Sequence, residues 1–80
     1  MMTAGGIVEI DLHGKNEYQA RVTIDAALRR AKAGTYRLRI VHGYNGGTAL
    51  RDMVRREYAS RVLRVIPLDQ GRTDLVLREF

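Results

Sequence analysis

The side chains best suited to chemistry lie in two short segments of the sequence. Asp11 and His13 end one alternating apolar segment, and His42 ends another. A histidine can move a proton near neutral pH, and an aspartate can orient a histidine or help to hold a divalent cation. The chain has no cysteine, and Ser60 does not lie in a nucleophile turn. These residues therefore favour hydrolysis of a phosphodiester by water over acyl transfer, with Asp11, His13 and His42 as the predicted catalytic residues.

His42 also opens a glycine-rich segment that runs from an apolar strand into a helix. Three glycines in five positions allow backbone N–H groups to approach an anion closely, and the positive end of the helix points into the same turn. Arg51 lies in the first helical turn, where a cation is unfavourable unless an anion is bound. An ordinary glycine turn beside a solvated arginine is the alternative. The predicted phosphate or nucleic-acid contacts are Gly43, Tyr44, Asn45, Gly46, Gly47, Thr48 and Arg51, with Lys15, Arg37 and Arg39 as further cations.

The charge of the chain favours a polyanionic partner. The net charge is +5, and twelve of the fourteen cations are arginine, which binds phosphate bidentately and stacks on bases. We therefore expect DNA or RNA as the partner, with a ribosomal surface as one form of it. No apolar run approaches the ~18 residues of a membrane span, and residues 1–6 lack the features of a signal peptide. We expect a cytoplasmic monomer in which residues 1–6 are a disordered tail and residues 7–80 are one domain.

Periodicity predicts the elements that position these residues. Residues 7–13 alternate as a half-buried strand, and Asn16 is suited to cap a helix that runs to about residue 33. Residues 36–41 alternate again, with Arg37 and Arg39 on the face away from the core, as a solvated surface or a phosphate-tracking patch. Thr48 is suited to cap a second helix. Residues 62–68 and 73–78 are predicted as a hairpin, with Pro67 at a sheet edge or bulge.

This order predicts a two-layer α/β (α+β) sandwich, β-α-β-α-β-β, with two helices on one face of a four-stranded mixed sheet. A helical crossover makes the first two strands parallel, so their carboxyl ends meet at one edge. Asp11, His13 and His42 should therefore converge there with the glycine turn. Either histidine alone is more often structural than catalytic, and we expect neither to be a core residue, so the functional prediction depends on this convergence.

These segments resemble the two motifs of the small MutS-related (Smr) domain. Residues 10–14 are similar to its Leu-Asp-x-His strand end, and residues 42–51 are similar to its glycine-rich turn followed by Ala-Leu-Arg. The resemblance covers about residues 7–80, although residues 44–48 depart from the usual glycine spacing and only Gly71 stands for the glycine-rich loop before the last strand. It implies a fold like the C-terminal domain of translation initiation factor three, nucleic-acid binding, and DNA or RNA cleavage in many members.

Three functions remain open from the sequence. The first is a nuclease, and the second is a non-catalytic module that binds branched DNA or structured RNA through its basic edge. The third, a protein-interaction domain, is opposed only by the arginine bias and the glycine turn. Three possible ligands without further acids make a weak metal site, so we predict no dedicated metal site. Mg²⁺ or Mn²⁺ are the ions that a nuclease of this kind could use.

Overall fold

The computed structural model describes residues 2–43 and 48–79, which form a five-stranded sheet and two helices. The elements in chain order are β1 (Met2–Ala4), β2 (Ile7–Asp11), α1 (Glu17–Arg30), β3 (Arg37–Val41), α2 (Ala49–Glu57), β4 (Arg64–Pro67) and β5 (Arg72–Val76). From β2 onward this is the predicted β-α-β-α-β-β order, and the α+β class is confirmed. Neither helix of the described ranges is long and apolar enough to cross a membrane.

The strands lie in the order β1-β2-β3-β5-β4. β2 and β3 are parallel, as predicted from the helical crossover, and β4 and β5 form the predicted antiparallel hairpin. β5 also pairs with β3, a pairing that no local sequence signal indicates. β4 is an edge strand, so the missing N–H of Pro67 costs no hydrogen bond to a neighbouring strand.

The N-terminal segment was expected to be a disordered tail, and this expectation is wrong for the residues that the structure describes. Met2–Ala4 pair antiparallel with β2. Gly5 and Gly6 form the connection, with φ of 59° and 86°, a region that glycine enters without penalty. Residues 2–4 therefore form an edge strand of the sheet, because two glycines allow a tight reversal into β2.

A capping box begins α1. The Asn16 side chain accepts from the Gln19 N–H at 2.8 Å, and the Gln19 side chain accepts from the Asn16 N–H at 3.0 Å. This confirms the predicted cap and satisfies two N–H groups that would otherwise lack partners. The helix ends at Arg30 rather than near residue 33, because Ala31 adopts an extended conformation with ψ of 125°.

The core lies between the helices and one face of the sheet. Its buried apolar residues are Val8, Ile10, Leu12, Ala20, Ile24, Ala27, Leu38, Ile40, Met53, Val54, Tyr58 and Leu75. The two helices are also joined by an ion pair, in which Arg21 donates to both carboxylate oxygens of Glu57 at 2.7 Å. The opposite face of the sheet is free of helices, and its side chains include Glu9, Arg37 and Arg39.

Candidate functional site

Three strand ends meet at one edge of the sheet, which we call the rim. Asp11 pairs with Val41 in parallel register, and the Leu12 N–H donates to the Val41 carbonyl at 2.9 Å. Val41 pairs in turn with Arg72, the first residue of β5. The segments that follow β2 and β3 therefore leave the sheet side by side, next to the turn between β4 and β5. This is the convergence of the two motifs that parallel strands predicted.

The segment after β2 presents Asp11 and His13 to solvent above a buried leucine. The Asp11 Oδ1 accepts from the His13 N–H at 2.8 Å, and the Lys15 N–H donates to the Leu12 carbonyl at 3.0 Å. Leu12 is fully buried and fixes the segment to the core. His13 is exposed, and no hydrogen bond to another described residue engages its ring. The Asp11 carboxylate orients the backbone of this turn rather than the ring.

His42 lies in a different environment from His13. It is 7% exposed, which corrects the expectation that neither histidine is a core residue. Its Nε2 lies 2.8 Å from the Thr73 Oγ1, and its Nδ1 lies 3.0 Å from the Gly43 carbonyl oxygen. The sequence contained a signal for this burial, because Leu38, Ile40 and His42 share one parity along the strand and the first two face the core.

The surroundings of His42 disfavour its charged form. Burial lowers the pKa of His42 below its ordinary value. The charges of Arg55 and Arg51 lower it further, while the Gly43 carbonyl and Asp69 oppose this shift without reversing it. The net direction means that the ring is uncharged at neutral pH.

The glycine turn begins with a left-handed residue tied to the neighbouring turn. Gly43 has φ of 70°, and the N–H groups of His42 and Gly43 both donate to the Gly71 carbonyl at 3.0 Å. The predicted contacts Tyr44, Asn45, Gly46 and Gly47 lie outside the described residues.

Arg51, in the first turn of α2, forms an ion pair with Asp52. Thr48 is the N-cap residue, but its side chain donates to the Asp52 Oδ2 at 2.9 Å and makes no capping bond to the backbone. The Arg51 Nε donates to the Asp52 Oδ1 at 3.2 Å. Asp52 therefore offsets part of the penalty that the helix dipole imposes on Arg51, and a bound anion would have to share this arginine with the carboxylate.

Arg37 and Arg39 lie on the helix-free face of the sheet and contact a buried acid. Arg39 donates from Nε to the Asp74 Oδ1 and from Nη2 to its Oδ2, both at 2.9 Å, and Arg37 donates from Nη1 to the Oδ2 at 2.9 Å. The Asp74 side chain is 0% exposed. Burial raises the pKa of Asp74, but the hydrogen bonds and charges of Arg39 and Arg37 lower it overall.

These contacts give Arg37 and Arg39 a buried partner, but their side chains stay 27% and 26% exposed, and their role as phosphate contacts stays a prediction. The two cations share one anion, and Arg37 lies four positions before Val41 on β3, about 13 Å from the rim at the rise of a strand. They share this anion because β5 pairs with β3 and puts Asp74 opposite Arg39.

Two polar residues next to His42 were not singled out from the sequence. The Arg55 Nε donates to the Thr73 Oγ1 at 2.9 Å, and the Arg55 Nη2 donates to the Asp69 carbonyl at 2.9 Å. Arg55 was missed because its partners belong to β5 and to the turn before it, and no local pattern places these next to α2. Among the described residues, no group of three acidic, histidine or cysteine side chains could hold a metal ion.

Comparisons with known proteins identify a family over most of the chain. A sequence model of the family described as Smr domain matches residues 10–72, which include Asp11, His13 and the glycine turn. No curated protein and no solved structure matches the chain.

Proposed function

The chain belongs to the Smr domain family, a family of nucleic-acid-binding and nuclease-type domains, and from that premise we propose that it cleaves phosphodiester bonds in DNA or RNA. The observation that carries the proposal is the parallel register of β2 and β3, which brings Asp11, His13 and Gly43 to one rim. An exposed imidazole beside a glycine-rich turn and an arginine is a suitable arrangement for hydrolysis of a phosphate ester.

The proposed roles follow from the contacts at the rim. The His13 ring, open to solvent, accepts a proton from the attacking water or returns one to the leaving oxygen. Asp11 holds the backbone of His13 and keeps the ring at the edge of the sheet. Arg51, at the start of α2, stabilises the charge that develops on the phosphate, whereas the Gly43 N–H already donates to the Gly71 carbonyl. The described side chains offer no cluster for Mg²⁺ or Mn²⁺, so no step is assigned to a metal ion.

A cleavage assay tests this proposal. The purified protein is incubated with single-stranded, nicked and branched DNA and with structured RNA, in EDTA and with added Mg²⁺ or Mn²⁺. We expect His13→Ala to lower the cleavage rate by about 10²–10⁴-fold, as for loss of a general acid or base. Lys32→Ala, an exposed residue after α1, is the control and should cleave as the wild type does. Cleavage that survives His13→Ala undiminished would refute the role of His13.

One observation favours a second candidate function. Both ring nitrogens of His42 are hydrogen-bonded, so His13 is the histidine whose exposed ring can contact a nucleic acid. A single imidazole can take part in binding without catalysis. In this alternative the domain is a non-catalytic module for branched DNA or structured RNA, including ribosomal RNA. Affinity that falls steeply with salt, with no cleavage by the wild type, would favour it.

Paired arginine variants measure binding in either case. Arg51→Ala should weaken nucleic-acid binding. Arg56→Ala, on the same helix, removes a charge that is 69% exposed and paired with Glu57, and it should weaken binding less. Equal losses in the two variants would mean that the rim is not the binding surface.

We also expect the protein to be a monomer and to be cytoplasmic. Light scattering of the eluted protein checks the first against a chain mass of 9.1 kDa. Fractionation of the source cells checks the second.

A further inference from the structure

A chain of hydrogen bonds connects α2 to the end of β3 through the side chain of Thr73. It runs from the Arg55 guanidinium to the Thr73 hydroxyl, then to the His42 ring, and from the ring to the Gly43 carbonyl. Thr73 is 0% exposed, so solvent does not compete for its hydroxyl. The donor at each link can be assigned from the chemistry of the groups.

The carbonyl at one end and the guanidinium at the other determine these assignments. A carbonyl oxygen only accepts, so the His42 Nδ1 carries the proton that faces Gly43. In an uncharged ring the Nε2 is then an acceptor, and the Thr73 hydroxyl donates to it. An arginine only donates, so the Thr73 oxygen accepts from the Arg55 Nε. The opposite tautomer would turn the Nδ1 lone pair toward the Gly43 oxygen in a site that excludes water.

We propose that Arg55 and Thr73 are positioning residues that hold the His42 ring in its Nδ1–H tautomer and thereby fix Gly43 where the chain leaves β3. The backbones of His42 and Gly43 are restrained as well, because their N–H groups both donate to the Gly71 carbonyl. Ring and backbone together restrain the one left-handed residue described in this turn. His42 thus supports the turn, and proton transfer belongs to His13.

The charged groups around the ring are consistent with this assignment. Arg51 and Arg55 face it from α2, and Asp69 faces it from the turn between β4 and β5. Two cations against one anion, in a buried site, disfavour the doubly protonated ring. Only the effect on phosphate rests on the proposed function, whereas the tautomer and the order of the turn can be measured without it.

Histidine side-chain NMR tests the tautomer directly. Long-range ¹H–¹⁵N spectra of the wild type at neutral pH should show His42 with a protonated Nδ1 and an unprotonated Nε2, and His42→Gln assigns the signals. A ring protonated on Nε2 alone, or on both nitrogens, would overturn the proposal.

Substitutions at Thr73 test the positioning role. Thr73→Val keeps the shape but removes the hydroxyl, whereas Thr73→Ser keeps the hydroxyl. We expect Thr73→Val to speed amide exchange at Gly43 and to weaken binding of inorganic phosphate by about tenfold each, the size expected for one lost hydrogen bond. Thr73→Ser should restore both to near the wild-type values. Wild-type exchange at Gly43 in Thr73→Val, or no recovery in a folded Thr73→Ser, would refute the role of the hydroxyl.

A second pair of variants serves if Thr73→Val does not fold. Arg55→Met removes the first donor from a partly exposed position, and Arg56→Met is its matched control on the same helix. We expect amide exchange at Gly43 to be faster than in the wild type in Arg55→Met and unchanged in Arg56→Met. Equal exchange rates in the two variants would refute the proposal. If wild-type protein binds no phosphate while tautomer and exchange behave as expected, the proposed function fails and the positioning role stands.

Discussion

Replacing Asp74 by asparagine tests the energetic importance of the buried acid on the helix-free face. The substitution keeps the size of the side chain but removes its charge and one acceptor oxygen. Three hydrogen bonds from Arg37 and Arg39 converge on the carboxylate. In the variant an amide NH₂ would face arginine donors, so at least one of these bonds would be lost or become repulsive.

The magnitude can be worked from the exposure of the partners. Removing one member of a fully buried ion pair costs about 3–5 kcal/mol. Here the arginine side chains remain 27% and 26% exposed, so they can turn to water, and we expect a loss of about 2–4 kcal/mol in the free energy of unfolding. A domain of 80 residues has a total of roughly 4–12 kcal/mol. Urea unfolding should therefore shift its midpoint downward by about 2 M or more, for a slope near 1 kcal/mol per M.

The loss should also depend on pH, with a sign set by the pKa shift. Because the pKa of Asp74 is lowered in the folded protein, its stabilising effect is complete above the unfolded-state pKa of about 3.9 and disappears as the pH falls through the lower folded pKa. Wild type and Asp74→Asn should therefore differ most near neutral pH and converge in acid.

The control is Asp69→Asn, which breaks the ion pair between Arg72 and Asp69. The Asp69 side chain is 47% exposed. This variant should lose far less stability at neutral pH. The reasoning is refuted if the two variants lose equal stability, or if the loss in Asp74→Asn is the same at acid and neutral pH.

Two further predictions concern single positions with matched controls. Gly43→Ala should cost about 1 kcal/mol of unfolding free energy, because φ is 70° although open space surrounds the position. Gly34→Ala, also in open space but without a positive φ, should be neutral or slightly stabilising in the same urea titration, and equal effects would contradict the backbone argument. Tyr58→Phe removes a hydroxyl that donates to the Asp25 Oδ1 at 2.7 Å and should lower the thermal midpoint by about 4–8 °C. Tyr18→Phe, at a residue 73% exposed, should leave the midpoint unchanged, and equal shifts in the two variants would count against the hydrogen bond.

Local sequence signals were sufficient for the elements from β2 onward, though not for β1, and for the meeting of the two motifs. Alternation gave β2 and β3, the Asn16 cap gave the start of α1, and the helical crossover gave their parallel pairing. Because parallel strands align their carboxyl ends, these signals also predicted that Asp11 and His13 approach the glycine turn. These features depend on residues close in sequence or on handedness rules that apply to any such crossover.

The contacts that involve β5 were not predictable in the same way. A hairpin pattern pairs β5 with β4, but nothing local indicates that its other edge pairs with β3. No role was therefore predicted for Asp74, and Arg37 and Arg39 were predicted to form a solvated surface or a phosphate-tracking patch. The burial of His42 was within reach, since it continues the inward parity of Ile40, but its bond to Thr73 depends on that same unforeseen neighbour.

The double contact at the Gly71 carbonyl has a consequence for insertions and deletions. One oxygen receives the N–H groups of both His42 and Gly43, so the turn between β4 and β5 is matched in length to the exit of β3. One added residue would displace that oxygen by about 3.3 Å, the rise of one strand residue, and would separate the two loops. We expect an insertion library to tolerate extra residues in the exposed connector around Ala33 and to exclude them from this turn.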